Sequence, residues 1–291
     1  MEKSTAALHY NRFNIICKNI PFLFLSIVLS FNLLAQGLSQ WINANGRHIA
    51  TRFNIPPSYR RVSTKPGSFA YFLQNLPLKP HGTPVFLHNG LLKEGNYHAA
   101  VLTFDTGKKD LQQCADAVIR LRAEYLWATS QPEKIAFHLT NGFLTPYAKW
   151  QEGWRVNVNG NQTTWVKSAQ KDTTYQTFRK YLDFVYTYAG SISLAKELSP
   201  VELGNAAIGD VFIQGGSPGH AVLIVDMAIH ELTGEKICLV AQSYMPAQDI
   251  HILQNLEDSY LSPWIKLPEN SPMSPFVTPQ WRFIRKDLKR F

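Results

Sequence analysis

Between Gly209 and Gln248 the chain reads GDVFIQGGSPGHAVLIVDMAIHELTGEKICLVAQSYMPAQ, and this stretch limits the fold more than any other. Asp210–Gln214 is bounded by Gly209 and by the turn Gly215–Gly216–Ser217–Pro218–Gly219. Ala221–Ala228 is an apolar run rich in β-branched residues. Lys236–Ser243 follows the turn signal Thr233–Gly234. Short apolar runs punctuated by glycine and proline predict three strands joined by tight turns. His220 stands at the mouth of the second strand. An imidazole at the start of a buried strand needs a partner, so the segment predicts a site as well as a sheet.

The rest of the chain predicts helices packed on that sheet. Ser68 caps an expected short helix, Phe69–Leu76, stopped by Pro77. Val85–Leu87, His98–Phe104 and Ile135–Leu139 read as strands. Asp110 is the expected cap of a helix Leu111–Ala128, on which Leu111, Cys114, Ala115, Val118, Leu121, Tyr125 and Leu126 recur at helical spacing. Pro146–Gln151 reads as a turn of helix, and Trp154–Val158 with Thr163–Lys167 as a hairpin about Asn159–Gly160. Tyr175–Tyr188 and Ser193–Leu198 read as helices. His251–Leu253 and Trp281–Ile284 are further expected strands. Mixed elements followed by an antiparallel run predict an α+β protein with a largely antiparallel sheet.

At the N-terminus, Lys3, Arg12 and Lys18 precede an apolar core, Phe22 to Leu34, followed by Ala35–Gln36. This predicts a signal peptide over residues 1–35, either cleaved or retained as an anchor. A loose lead-in over 36–50 and a single domain over 51–291 complete the expected organisation. The protein is then exported, periplasmic or extracellular, with no membrane span once the signal is cleaved.

The formal charge is +8, of which the targeting segment supplies two. The remainder suits peptidoglycan or another anionic cell-envelope polymer, or serves solubility alone. Basic residues are scattered apart from Arg282–Arg290 and accompany no nucleic-acid motif, so no nucleic-acid partner is expected. Beyond the signal only Cys114 and Cys238 remain. They could pair as a disulfide, be buried thiols, or include a nucleophile. No cysteine or histidine cluster has metal-ligand spacing, and no metal or cofactor is expected.

Three residues form the candidate catalytic set. His220 is a potential general base, or a structural histidine bonded to a carbonyl. Gln242 interrupts an apolar strand and could orient the imidazole, or satisfy backbone at a strand end. Cys114, near a helix start, is placed where the helix dipole lowers a thiol pKa, or it is plain core on the apolar stripe. Around them, Gly216, Ser217, Gly219 and Ser243 are candidate pocket residues. Asp105 and Asp116 are candidate acid/base partners of His220, with Asp116–Arg120 read as an i, i+4 pair. Trp150 and Trp154, with Tyr147 and Trp165, could line a sugar-binding cleft or fill a core.

Four stretches, GDVFIQGGSPGHAVLIVD, LVAQSYMPAQDIHIL, DLQQCADAVIRLRAEYL and FRKYLDFVYTYAGSISLAKEL, resemble an exported Bacteroidota family known only as a domain of unknown function, family 4846. More distantly, Gly209–Asp210–Val211–Phe212 followed by Gly219–His220–Ala221–Val222 resembles the "GD…HVG" strand pair of NlpC-type cell-wall cysteine peptidases. That resemblance implies a papain-like core with a nucleophilic cysteine at a helix start, the histidine opening the second strand, and a polar third residue on the next. His220 takes the histidine position and Gln242 the third. The helix just before the GD strand begins Tyr175–Gln176–Thr177–Phe178, without cysteine. Either residues 130–200 are a large insertion and Cys114 is the nucleophile, or the nucleophile is absent. The expected functions are accordingly a periplasmic cysteine hydrolase of peptide or amide bonds, an inactive binding module for cell-wall peptide or glycan, or an acid/base enzyme using His220 with Asp105 or Asp116.

Overall fold

A computed structural model describes residues 40–268 and 274–291. The expected targeting segment, including Cys17, lies outside the described residues. In chain order the helices are α1 (Ile49–Arg52), α2 (Phe69–Gln74), α3 (Cys114–Ala128), α4 (Tyr147–Gln151), α5 (Tyr175–Tyr188) and α6 (Ser191–Glu197). The strands are β1 (Tyr59–Arg61), β2 (His98–Val101), β3 (Ala136–His138), β4 (Leu144–Pro146), β5 (Trp154–Asn159), β6 (Gln162–Lys167), β7 (Ser199–Pro200), β8 (Val211–Gln214), β9 (His220–His230), β10 (Lys236–Gln242), β11 (His251–Leu253), β12 (Ile265–Lys266), β13 (Phe276–Thr278), β14 (Trp281–Phe283) and β15 (Leu288–Arg290).

One nine-stranded sheet organises the chain, in the order β2-β11-β10-β9-β8-β15-β7, with β1 also on β9 and β12 on β10. Its pairings are antiparallel, so the fold is mixed α/β built on a large antiparallel sheet. The two longest central strands carry the apolar runs read from the sequence. Ala221–Ala228 is buried throughout, as is Ile237–Gln242. Burial on both faces removes the usual alternation, which explains the continuous apolar pattern. Each fully buried Val, Leu or Ile there contributes roughly 1.5–3 kcal/mol relative to exposure.

Helix α3 packs across β9 and β10. It is buried almost all round, including Asp116, Arg120 and Glu124, which obscures an amphipathic pattern. Arg120 does not pair with Asp116. Its guanidinium holds Glu124 Oε1 at 2.6 Å, Gln112 Oε1 at 2.9 Å and the Asp105 carbonyl at 3.3 Å. The charge is thus neutralised inside the core instead of on a solvated face.

Three boundaries differ from expectation in ways that matter. The stretch from Trp41 is packed, with Trp41 and Ile49 in the core and Ile42 bridged to Phe53, so residues 41–50 are not loose. Val85–Leu87 forms only isolated bridges, Phe86 to Leu92 and Leu87 to Gln248. Most consequential, α3 starts at Cys114 and not Leu111. Asp110 spends its carboxylate on the Ala247 N–H at 2.6 Å, and Gln113 takes the cap position, its own N–H donating to Asp116 Oδ2 at 3.1 Å. No described helix is long and apolar enough to cross a membrane.

Candidate functional site

The β8–β9 turn, the start of α3 and the end of α5 converge on one cavity of about 670 Å³. Cys114, Asp116, Gly216, Ser217, Gly219 and His220 line it, with Tyr186, Tyr244 and Trp281. The turn is held against α6 by Ser191, whose Oγ lies 3.3 Å from the Gly216 carbonyl and 3.4 Å from the Gly216 N. Gly219 is required by that contact. A Cβ there would meet Ser191 Oγ at 2.5 Å, the Gly216 carbonyl oxygen at 2.6 Å and the Gln214 carbonyl oxygen at 2.8 Å.

His220 opens β9 opposite Gln214 and is 1% exposed. Its ring packs among Tyr244, Trp281 and Phe283, with centroids at 4.9, 5.3 and 6.0 Å. Trp281 is fixed by its indole N–H, which donates to Gln214 Oε1 at 3.0 Å. Burial among these rings disfavours the imidazolium and lowers the His220 pKa to about 4; the Gln242 contact opposes this only partly. The ring is therefore neutral at physiological pH.

Which nitrogen carries the proton follows from a chain of contacts on β10 and β11. His251 Nδ1 lies 2.9 Å from the Asp249 carbonyl, which can only accept, so that nitrogen is protonated. Burial lowers the His251 pKa to about 3, so its Nε2 is a bare lone pair. Gln242 pairs with His251 across the strands, and its amide nitrogen faces that lone pair at 3.4 Å while donating to Gln280 Oε1 at 2.8 Å. Gln242 Oε1 is thereby turned toward His220 Nε2, at 2.8 Å. An amide oxygen can only accept, so His220 is protonated on Nε2 and presents an unprotonated Nδ1.

Cys114 is the first residue of α3 and is half-buried. Its sulfur lies near the N–H groups of Ala115, of Ala221 (one residue along β9 from His220) and of its own residue, which favour the thiolate. Burial, and then the nearby Asp116, outweigh these donors and hold the thiol above its ordinary pKa. The lowering expected from the helix start alone does not prevail in so enclosed a site. Cys114 and Cys238 are both free, and Cys238 is fully buried in β10, its pKa pushed up by burial. No disulfide joins them.

The remaining expected site residues lie elsewhere. Asp105 is exposed and ion-paired with Arg120 and Arg179 at 3.4 and 3.1 Å, outside the cavity. Trp150 is buried against Tyr181 and Phe184, with the Arg155 guanidinium over its ring. Trp154, on the β5–β6 hairpin, is flanked by Lys149 and Lys167. Ser243 is buried, its hydroxyl 2.8 and 2.9 Å from the carbonyl oxygens of Gln112 and Gln248, and this ties the end of β10 to the start of α3. Asp210 is buried and bidentate with Arg290 at 2.5 and 2.8 Å, so the acidic residue of the GD pair anchors β15 to β8 and takes no part in the cavity.

Sequence reading missed His251, Gln280, Tyr186, Tyr244 and Trp281. Only His251 left a usable signal: a second histidine on a buried strand whose register sets it beside Gln242. Among the described residues no cluster of three or more histidine, cysteine, aspartate or glutamate side chains is arranged to hold a metal ion. A family model described as a domain of unknown function (4846) matches residues 49–290, and the chain belongs to that family. Neither a curated protein nor a solved structure matches it.

Proposed function

We propose that this member of the domain-of-unknown-function family 4846 is a thiol hydrolase of peptide or amide bonds, with Cys114 as nucleophile, His220 as base and Gln242 as orienting residue. The observation that carries the proposal is a bare imidazole Nδ1, set by Gln242, in the cavity that also holds a thiol at a helix start. Attack by Cys114 Sγ on a substrate carbonyl passes the thiol proton to His220 Nδ1. The developing oxyanion is stabilised by N–H groups of the first turn of α3, which have no acceptor within the helix. Collapse breaks the C–N bond, and the imidazolium returns its proton to the leaving amine. Water, deprotonated by the same nitrogen, then cleaves the thioester and restores the thiol.

Neutral thiol and neutral imidazole are the resting pair, given burial of both groups. Proton transfer therefore accompanies attack and does not precede it. A papain-like core with residues 130–200 as an insertion fits the order of helix start, histidine strand and glutamine strand, and the likeness to NlpC-type peptidases belongs to this proposal. So do an exported, periplasmic or extracellular location, a Bacteroidota source and peptidoglycan as substrate. Release of soluble fragments from purified peptidoglycan, abolished in Cys114→Ala with an unchanged circular dichroism spectrum, is the supporting result. Equal release by wild type and Cys114→Ala contradicts it.

The second reading is a binding module on the same scaffold. It is favoured by the raised thiol pKa and by the lack of a hydrogen bond between Cys114 and His220 among those of the described residues. Peptidoglycan retention by wild type and Cys114→Ala alike, without fragment release, distinguishes it.

A further inference from the structure

We propose that the floor of the cavity is a subsite for a primary ammonium group of the ligand, held by Asp116 and Tyr186. The inference rests on the cavity being the reaction site, and it specifies the chemistry of what enters there. Asp116 is 6% exposed and lines the cavity two residues beyond Cys114. Its Oδ2 accepts from the Gln113 N–H, whereas its Oδ1 is buried without any partner. Tyr186 is likewise 6% exposed and lines the cavity, and its hydroxyl also lacks a partner. Two buried, unpartnered polar atoms on side chains that line one cavity are a cost that a ligand hydrogen bond removes.

The charge of that ligand follows from the lining. Among the described residues no lysine or arginine lines the cavity, although the chain carries +8 overall. Asp110 lies at its edge, its pKa lowered by the Ala247 N–H. The C-terminal end of α5 also faces it, through Tyr186, Thr187, Ala189 and Gly190, and a helix C-terminus favours cations. Arg120, one turn beyond Asp116, is already occupied by Glu124, Gln112, Tyr175 and Asp105. An ammonium group supplies three donors, enough for Asp116 Oδ1 and the Tyr186 oxygen together.

Binding should displace a proton. Burial raises the Asp116 pKa to about 8, so its carboxyl is mostly protonated at pH 7. The titratable and charged groups around the Asp116–Tyr186 pair are Cys114, Arg120 and Glu124 on α3 and Asp183 on α5, with Asp110 and His220 lining the same cavity. An arriving cation favours the carboxylate, and the proton leaves to buffer.

Calorimetry of full-length Cys114→Ala at pH 7, in two buffers of different ionisation enthalpy, tests this with three probes: alanyl-alaninamide, acetyl-alanyl-lysinamide and acetyl-alanyl-alaninamide. At least one ammonium-bearing probe is expected to bind about tenfold or more tighter than the probe without one, with net proton release. Which of the two binds identifies an α- or an ε-ammonium. Added Asp116→Asn or Tyr186→Phe should each weaken that probe about tenfold, the loss expected for one hydrogen bond to a charged group. Equal affinity for all three probes, or unchanged affinity in both variants, overturns the subsite. If no probe binds while Cys114 of the wild type is alkylated in a His220-dependent way, the subsite fails and the hydrolase reading survives. If an ammonium probe binds as described while Cys114 is inert, the subsite stands and the hydrolase reading fails.

Discussion

Replacing Gln242 by leucine should unlock the tautomer of His220. In the native site the His220 Nε2–H donates to Gln242 Oε1 at 2.8 Å, and the bond exists only while the proton is on Nε2. A neutral hydrogen bond of this kind contributes about 1–1.5 kcal/mol, which biases the tautomer ratio by roughly tenfold. The variant also leaves a buried N–H without an acceptor, at about 1–3 kcal/mol, offset in part by the apolar area leucine adds. The net expectation is about 1–2 kcal/mol of lost stability and a mixed tautomer population. Long-range ¹H–¹⁵N correlation spectra at pH 7 read this directly. Wild-type His220 should be protonated on Nε2 and His251 on Nδ1; Gln242→Leu should shift His220 toward a mixture while leaving His251 protonated on Nδ1, since its Asp249 carbonyl contact at 2.9 Å is retained. A wild-type His220 protonated on Nδ1 refutes the reasoning, because that nitrogen could not then act as base.

His220 also has a signature in acid. Its folded pKa of about 4 lies below the ordinary 6.5, so the unfolded chain takes the proton first as pH falls. Its contribution to stability is complete above pH 6.5 and is lost as pH drops through about 4. The raised Asp116 pKa acts in the opposite direction, so the comparison must be between variants. The unfolding free energy of wild type relative to His220→Phe should fall by about 3 kcal/mol between pH 7 and pH 4; a pH-independent difference contradicts the burial argument. In Gly219→Ala, the added methyl meets two carbonyl oxygens that cannot yield without moving the turn. Denaturant titration should show a loss of about 1–3 kcal/mol, accompanied by slower Cys114 alkylation; an unaltered midpoint would mean that the turn is looser than described.

The strands around His220 were legible because tight turns bound short apolar runs, and α5 was legible to the residue. The start of α3 was not. Asp110 looks like a cap and glutamine does not, but Asp110 is drawn to the Ala247 N–H from a loop distant in sequence. That three-residue shift is what sets Cys114 at the helix terminus, beside Ala221. Asp105 and the tryptophans are site candidates by residue type alone, and the contacts that occupy them are long-range: Arg179 for Asp105, Tyr181 and Phe184 for Trp150. Tyr186 is an aromatic on an amphipathic helix, indistinguishable in sequence from any core tyrosine. Its unpartnered hydroxyl appears only once α5 is packed beside Asp116.

The central claim is that Cys114 is a nucleophile served by His220, and alkylation of the folded protein tests it most directly. Iodoacetamide at pH 7, followed by peptide mass mapping and a fold check by circular dichroism, should modify Cys114 and spare the fully buried Cys238. In His220→Ala the rate at Cys114 should fall about tenfold or more, the lower end of what a positioned general base contributes being larger still. A folded wild type in which Cys114 stays unmodified, or a rate indifferent to His220, contradicts the account.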